Sequence, residues 1–248
     1  MEPSKVSLNE KLLPSKDIFS RAELLYSLSI AYPHYKENDF SWIIAEFLRE
    51  KIIFRVAYGR YSRKEAKTYS GGPTNPLVEQ VRSLFLREKL RVPFVVFTSG
   101  LLNEGLNELI AHETLIVEVP SRSMEFAFSL LEKHFPRLRI LYNPTLEDRS
   151  HYSRGDSLVI FPLASRSPLS HERGKISLEK LIVDIFADRG LREFFSTDEA
   201  ESLARTFLSM YSYDSRALLS YAKRRCVQSE VKSAVALSGC PGVKFKEH

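Results

Sequence analysis

Between Ser20 and Pro33 the apolar positions Ala22, Leu24, Leu25, Leu28 and Ala31 recur at helical spacing. Ser20 followed three residues later by Glu23 has the pattern of a capping box, and Pro33 marks the stop. A second helix is predicted from near Asn38 or Ser41 through WIIAEFLREK, with Trp42, Ile43, Ala45, Phe47 and Leu48 inward. The period then changes. Ile52–Val56 and Arg60–Ser62 read as two short strands joined by a tight turn at Tyr58–Gly59. Helix, turn, helix and hairpin in this order predict a winged helix over about residues 1–70.

The breaker-rich stretch KEAKTYSGGPTNP reads as a linker, and residues 71–248 as a separate body. A helix is expected over Leu77–Lys89, then a buried strand in VPFVVFTSG, and LLNEGLNELIAH as helix or loop. TLIVEVP, RLRILYNP and DSLVIFPL read as strands, with MEFAFSLLEKHF as an amphipathic helix among them. From Leu178 onward the pattern is helical. SLEKLIVDIFAD is capped by Ser177, TDEAESLARTFLSMY by Thr197–Asp198, and DSRALLSYAKRRCVQSEVKSAVAL forms one long final helix. Leu218, Leu219, Ala222 and Cys226 are expected inward on it, and the tail after it is expected to be loose. The fold class predicted is α+β or α/β: an N-terminal winged helix followed by a mixed α/β body ending in helices.

Charge changes this picture by its distribution. The formal net charge is +5 over 248 residues. Seven basic residues fall between Arg49 and Lys67 against Glu50 and Glu65, and seven more between Arg216 and Lys246 against Glu230, with Glu247 next in the chain. Such clusters suit a polyanion, and equally a solvated face. On a winged helix the second helix enters the major groove and the hairpin meets the backbone, which makes double-stranded DNA the expected partner. The candidate DNA-binding residues are Lys36, Ser41, Arg49, Lys51, Arg55, Arg60 and Arg63, with Glu37 and Asn38 at the same helix start. No apolar run reaches the roughly 18 residues of a membrane span, and the polar N-terminus lacks a signal-peptide core, so a cytoplasmic protein is expected.

Catalytic chemistry is hard to find. The six histidines are scattered singly, which predicts no metal site, and no cofactor is expected. There is no phosphate loop and no GxSxG elbow. Of the two cysteines, Cys226 is expected in the core. Glu118 in TLIVEVP would be the acidic strand residue of a nuclease, but Pro120 stands where the activating lysine is needed. Glu179, Asp184 and Asp188 are read as capping or pairing groups, with Asp184 or Asp188 as candidate partners of Arg225, while Arg224 faces outward. A nuclease-like or nucleotide-handling body and a winged helix that binds protein remain alternatives to the DNA-binding reading.

The segment FLREKIIFRVAYGRYS, the strand TLIVEVP, the stretch SPLSHERGKISLEKLIVDIFAD and the helix DSRALLSYAKRR resemble the AbiEi-like antitoxin family of type IV toxin–antitoxin systems. That resemblance implies a winged-helix transcriptional regulator that represses its own operon. It also implies a cognate nucleotidyltransferase-like toxin, countered without a stable complex being required.

Overall fold

The computed structural model describes residues 10–57, 59–63, 67–73, 75–88, 91–106, 109–110, 112–145, 157–187 and 191–238. Tyr58, Asp188 and the tail after Ser238, for which the sequence carries expectations, lie outside them, as do the side chains of Glu37 and Asn38.

The N-terminal unit contains β1 (Ile18–Ser20), α1 (Arg21–Ala31), α2 (Glu37–Arg49), β2 (Phe54–Ala57) and β3 (Arg60–Ser62). Its antiparallel sheet has the order β1-β3-β2, so the last strand is central. The expected capping box opens α1: the Ser20 hydroxyl accepts from the Glu23 amide, and the Glu23 carboxylate accepts from the Ser20 amide. β1 is an element the periodicity did not reveal, because three residues are too few to show a period. Leu24, Leu28, Ile43, Ile44 and Phe47 close the small core around Phe19 and Tyr61. Trp42 and Ala45, expected inward, face out instead, Trp42 being 45% exposed.

The body is built on a four-stranded sheet. Its strands are β4 (Val95–Thr98), β5 (Leu115–Val119), β6 (Arg139–Tyr142) and β7 (Ser157–Pro162), in the order β4-β5-β7-β6. β7 is parallel to both neighbours, and β4 is antiparallel to β5. The two strand faces bury different layers. Leu115, Val117, Val119, Leu158 and Ile160 meet α3 (Pro76–Arg87) and α4 (Met124–His134). Ile116, Val95 and Phe97 meet α5 (Leu178–Ala187), α6 (Thr197–Met210), α7 (Ser215–Arg224) and α8 (Gln228–Leu237).

Three helical expectations are corrected. The cap of α6 is Ser196, boxed with Glu199, rather than Thr197–Asp198. The long final helix is two helices, broken after Arg225. The Val227 amide reaches back to the Ala222 carbonyl and the Cys226 amide to the Lys223 carbonyl, with Cys226 left-handed at φ 58°. This is a Schellman stop built without glycine, so the sequence carries no breaker to mark it. The turn also carries Cys226 out of the core to an exposed position.

Candidate functional site

Helix α2 presents Ser41, Trp42, Ala45 and Arg49 outward. Ser41, Ala45 and Arg49 are four residues apart and share one face. The Ser41 hydroxyl accepts from Arg21 Nη2 at 3.0 Å, which brings a cation from α1 to this face. Lys36 is the exposed N-cap residue, its amide donating to the Asp39 carboxylate at 2.9 Å. Arg49 is exposed and pairs with Glu46 (2.5 Å) and Glu50 (3.1 Å). Lys51 ends the helix in a second Schellman stop: φ is 55°, its amide donates to the Leu48 carbonyl, and the Ile52 amide donates to the Phe47 carbonyl. That left-handed turn leaves Lys51 exposed beside Arg49, and Arg55 stands exposed on β2.

Two of the seven candidates are placed elsewhere. Arg60 is buried at 4% exposure on the central strand. Its Nη1 donates to the Tyr213 hydroxyl (2.5 Å) and its Nη2 to the Val235 carbonyl (3.3 Å), so it fastens the N-terminal sheet to the segment between α6 and α7 and to α8. Arg63 donates to the carbonyls of Leu13 (3.2 Å) and Pro14 (2.6 Å), tying down the segment before β1. A guanidinium committed to buried carbonyls cannot leave them for phosphate without orphaning both sides. Hairpin charge in the sequence does not distinguish an exposed arginine from one turned under the sheet.

The linker is docked as well. The Lys67 amide donates to the Met210 carbonyl, and the Ser212 amide donates to the Lys67 carbonyl. Between them the Tyr211 hydroxyl donates to Glu104; partial burial and that carboxylate push the Tyr211 pKa up to about 12.

The second concentration of charge lies inside the body. Alternation along β5 turns Glu118 to the same side as Ile116, towards α5. Lys180, one helical turn before Asp184 on α5, pairs with Glu118 at 2.7 Å and with Asp184. Asp184 Oδ1 also accepts from the Tyr221 hydroxyl (3.0 Å) and from Arg225 Nη1 (2.9 Å). Glu118, Lys180 and Asp184 are each at most 3% exposed. Burial works to lower the Lys180 pKa, but the facing Asp184 and Glu118 carboxylates outweigh it and leave the ammonium raised above the ordinary lysine value. The Tyr221 hydroxyl is raised too, by burial and then by Asp184. Of the two candidate partners the sequence offered for Arg225, Asp184 is the one engaged, Asp188 lying outside the described residues. Lys180 was missed, although its four-residue spacing to Asp184 on an otherwise apolar helix was the available signal.

Four charges balanced two against two, with no opening to solvent at the carboxylates, cross-link β5, α5 and α7. Glu118, the carboxylate that the alternative nuclease reading would need, is therefore engaged by Lys180 and out of reach of a substrate. Glu179, the remaining acid of this helix, accepts from the Asp214 amide at the start of α7 (2.7 Å). Among the described residues no group of three or more His, Cys, Asp or Glu side chains gathers to hold a metal ion. Among them, too, no helix is long and apolar enough to cross a membrane.

No curated protein matches the chain. Residues 39–239 match the profile of a group described as "Family of unknown function (DUF6577)", a match that starts inside α2 and takes in the hairpin, the sheet, the buried charge cluster and all the later helices. With well over half of its length matched, the chain belongs to that family.

Proposed function

We propose that the chain is a DNA-binding transcriptional regulator that lays α2 in the major groove and sets the β2–β3 hairpin against the backbone. The observation that carries this reading is the uncovered face of α2. It is flanked by Lys36 and Arg21 at one end and by Arg49 and Lys51 at the other, with Arg55 on the adjoining strand. The order strand, helix, helix, strand, strand with the third strand central supports a winged helix. Arg49, itself exposed, would exchange the exposed Glu50 and the largely covered Glu46 for phosphate; the Glu50 pair contributes about 0–1 kcal/mol, as exposed pairs do.

With Arg60 and Arg63 committed internally, three or four phosphate contacts remain. The slope of log K against log salt on upstream duplex DNA is then about −3 to −4. A flat slope, or no binding at low salt, overturns the reading. The antitoxin context rests on the family resemblance. It is tested by co-expression with an adjacent nucleotidyltransferase gene, whose toxicity the chain should relieve.

One observation favours a second reading, a protein-binding module. Tyr26 and Ile30 stand 70% and 66% exposed one turn apart on α1. A shift assay on random duplex separates the two, since the protein-binding module leaves the duplex unshifted.

A further inference from the structure

The loop from Leu169 to Ile176 folds along the outer edge of β4. Val95 bridges to Gly174, the Val96 amide donates to the Gly174 carbonyl (2.8 Å), and Leu169 bridges to Ile176 across the loop. Between this loop and residues 91–94 lies a cleft of about 410 Å³, within the range of small-ligand sites. Its walls include Arg91, Phe94, Leu169, His171, Arg173 and Lys175.

Two features show that this arrangement is built into the fold. Gly174 has φ 85°, and a Cβ there would lie 2.5 Å from Phe94 Cε2, so only glycine lets the loop rest on the ring. Beneath it Arg82 is nearly buried. Its Nη1 is held by the Glu79 carboxylate (2.6 Å), its Nη2 donates to the Arg173 carbonyl (3.1 Å), and its Nε is a buried donor with no partner. The loop is thus fixed before any ligand arrives, which lowers the entropy lost on binding.

The chemistry of the walls is of two kinds. The half-exposed Leu169 offers apolar surface, while Phe94, 2% exposed, lies beneath the Arg173 guanidinium, which is 5.5 Å from the ring centroid and itself faces solvent. A guanidinium stacked on one ring can carry a second planar group on its other side. Arg91, His171 and Arg173 are exposed at the rim, and Lys175 pairs there with Glu172 (2.7 Å). Arginine forks match phosphate oxygens in pairs.

We propose that this cleft binds a phosphate monoester carried on a planar ring, the chemistry of a nucleoside monophosphate or of the 5′ end of a nucleic-acid strand. The proposal is independent of the DNA-binding reading of α2. Calorimetric titration of the full chain with AMP, adenosine and inorganic phosphate tests it. AMP should bind at least about tenfold more tightly than either fragment, and Arg91→Ala should weaken it about tenfold or more, the loss of one charge-assisted contact. Leu169→Ser should weaken AMP and leave phosphate unchanged. Both substituted residues are exposed, and an unaltered thermal melt confirms that each variant is folded. A 5′-phosphorylated tetranucleotide separates the sources: tighter binding than AMP assigns the site to a strand end, weaker binding to the free nucleotide. No binding of AMP or of the tetranucleotide, phosphate binding as well as AMP, or Arg91→Ala leaving the affinity unchanged would each overturn the proposal.

Discussion

At Lys180, burial and charge pull in opposite directions, and charge prevails because two carboxylates face one ammonium. Removing that ammonium in Lys180→Met leaves Glu118 and Asp184 buried with an unbalanced negative charge. The expected loss is about 3–5 kcal/mol, read from the urea midpoint at constant m-value. The pH dependence follows from the raised folded pKa. The contribution of Lys180 is complete below the unfolded value of about 10.4 and is lost as pH rises from there through the folded value. Wild type should therefore lose stability from this group only in strong alkali, and Lys180→Met should lack that decline. Arg225→Ala should cost less, about 1–3 kcal/mol, since Asp184 keeps Lys180 and Tyr221 while its partner was 23% exposed already. Arg224 bonds the Ser220 hydroxyl and the Arg166 carbonyl at the surface, and Arg224→Ala should leave the melt almost unchanged.

At the scale of elements, two helices end on left-handed residues that are not glycine, Lys51 after α2 and Cys226 after α7. A side chain in that conformation costs about 1 kcal/mol or more relative to glycine. What holds each stop is the pair of amide bonds back to the helix, together with the buried residue that follows or flanks it, Ile53 in one case and Val227 in the other. Lys51→Gly consequently separates two roles. Thermal stability should rise by about 0.5–1 kcal/mol, while affinity for duplex DNA falls and the salt slope becomes shallower by about one. Stability that rises with unchanged affinity would remove Lys51 from the proposed DNA-binding face. The strong legible elements were those whose apolar period ran for ten residues or more, as in α2, α5 and α6. The end of α2 was legible from the change of period at Ile52, whereas the break after α7 escaped because Cys226 gives no hint of a turn, and β1 escaped because its pairing partner lies some forty residues away in the chain.

Across the whole molecule, the N-terminal unit is fastened to the last helices by Arg60 and by the bridge at Lys67. Arg60→Met should lower the melting temperature, because the Tyr213 hydroxyl loses one donor and the Val235 carbonyl another. A loss of about 1–3 kcal/mol is expected, with the affinity of the folded protein for duplex kept. Arg55→Ala should do the reverse, reducing affinity with the melt unchanged, since its side chain stands in solvent. Equal affinity losses from both would mean that Arg60 acts on DNA through the interface with α8. Of the candidate surface, Lys36, Ser41, Arg49, Lys51 and Arg55 could be read in advance from the helix–hairpin pattern. The cleft beside β4 could not, for it joins Arg91 to a loop about eighty residues further on.

The sequence by itself determined most of the longer helices and strands and the mixed α/β class, because helical period and strand alternation act over a few residues, and it narrowed the partner of Arg225 to Asp184 or Asp188. It also determined that the N-terminal region is rich in cations. Which cations face water was decided only by the tertiary structure. Arg55 and Arg60 sit five residues apart in one hairpin, yet one is exposed and the other ends on Tyr213 and Val235. The same holds for Glu118, whose neighbours in the chain are apolar and whose partner Lys180 is brought to it by the packing of α5 on the sheet. Burial and long-range pairing are set by which faces meet, and that is a property of the assembled layers rather than of any local stretch of chain.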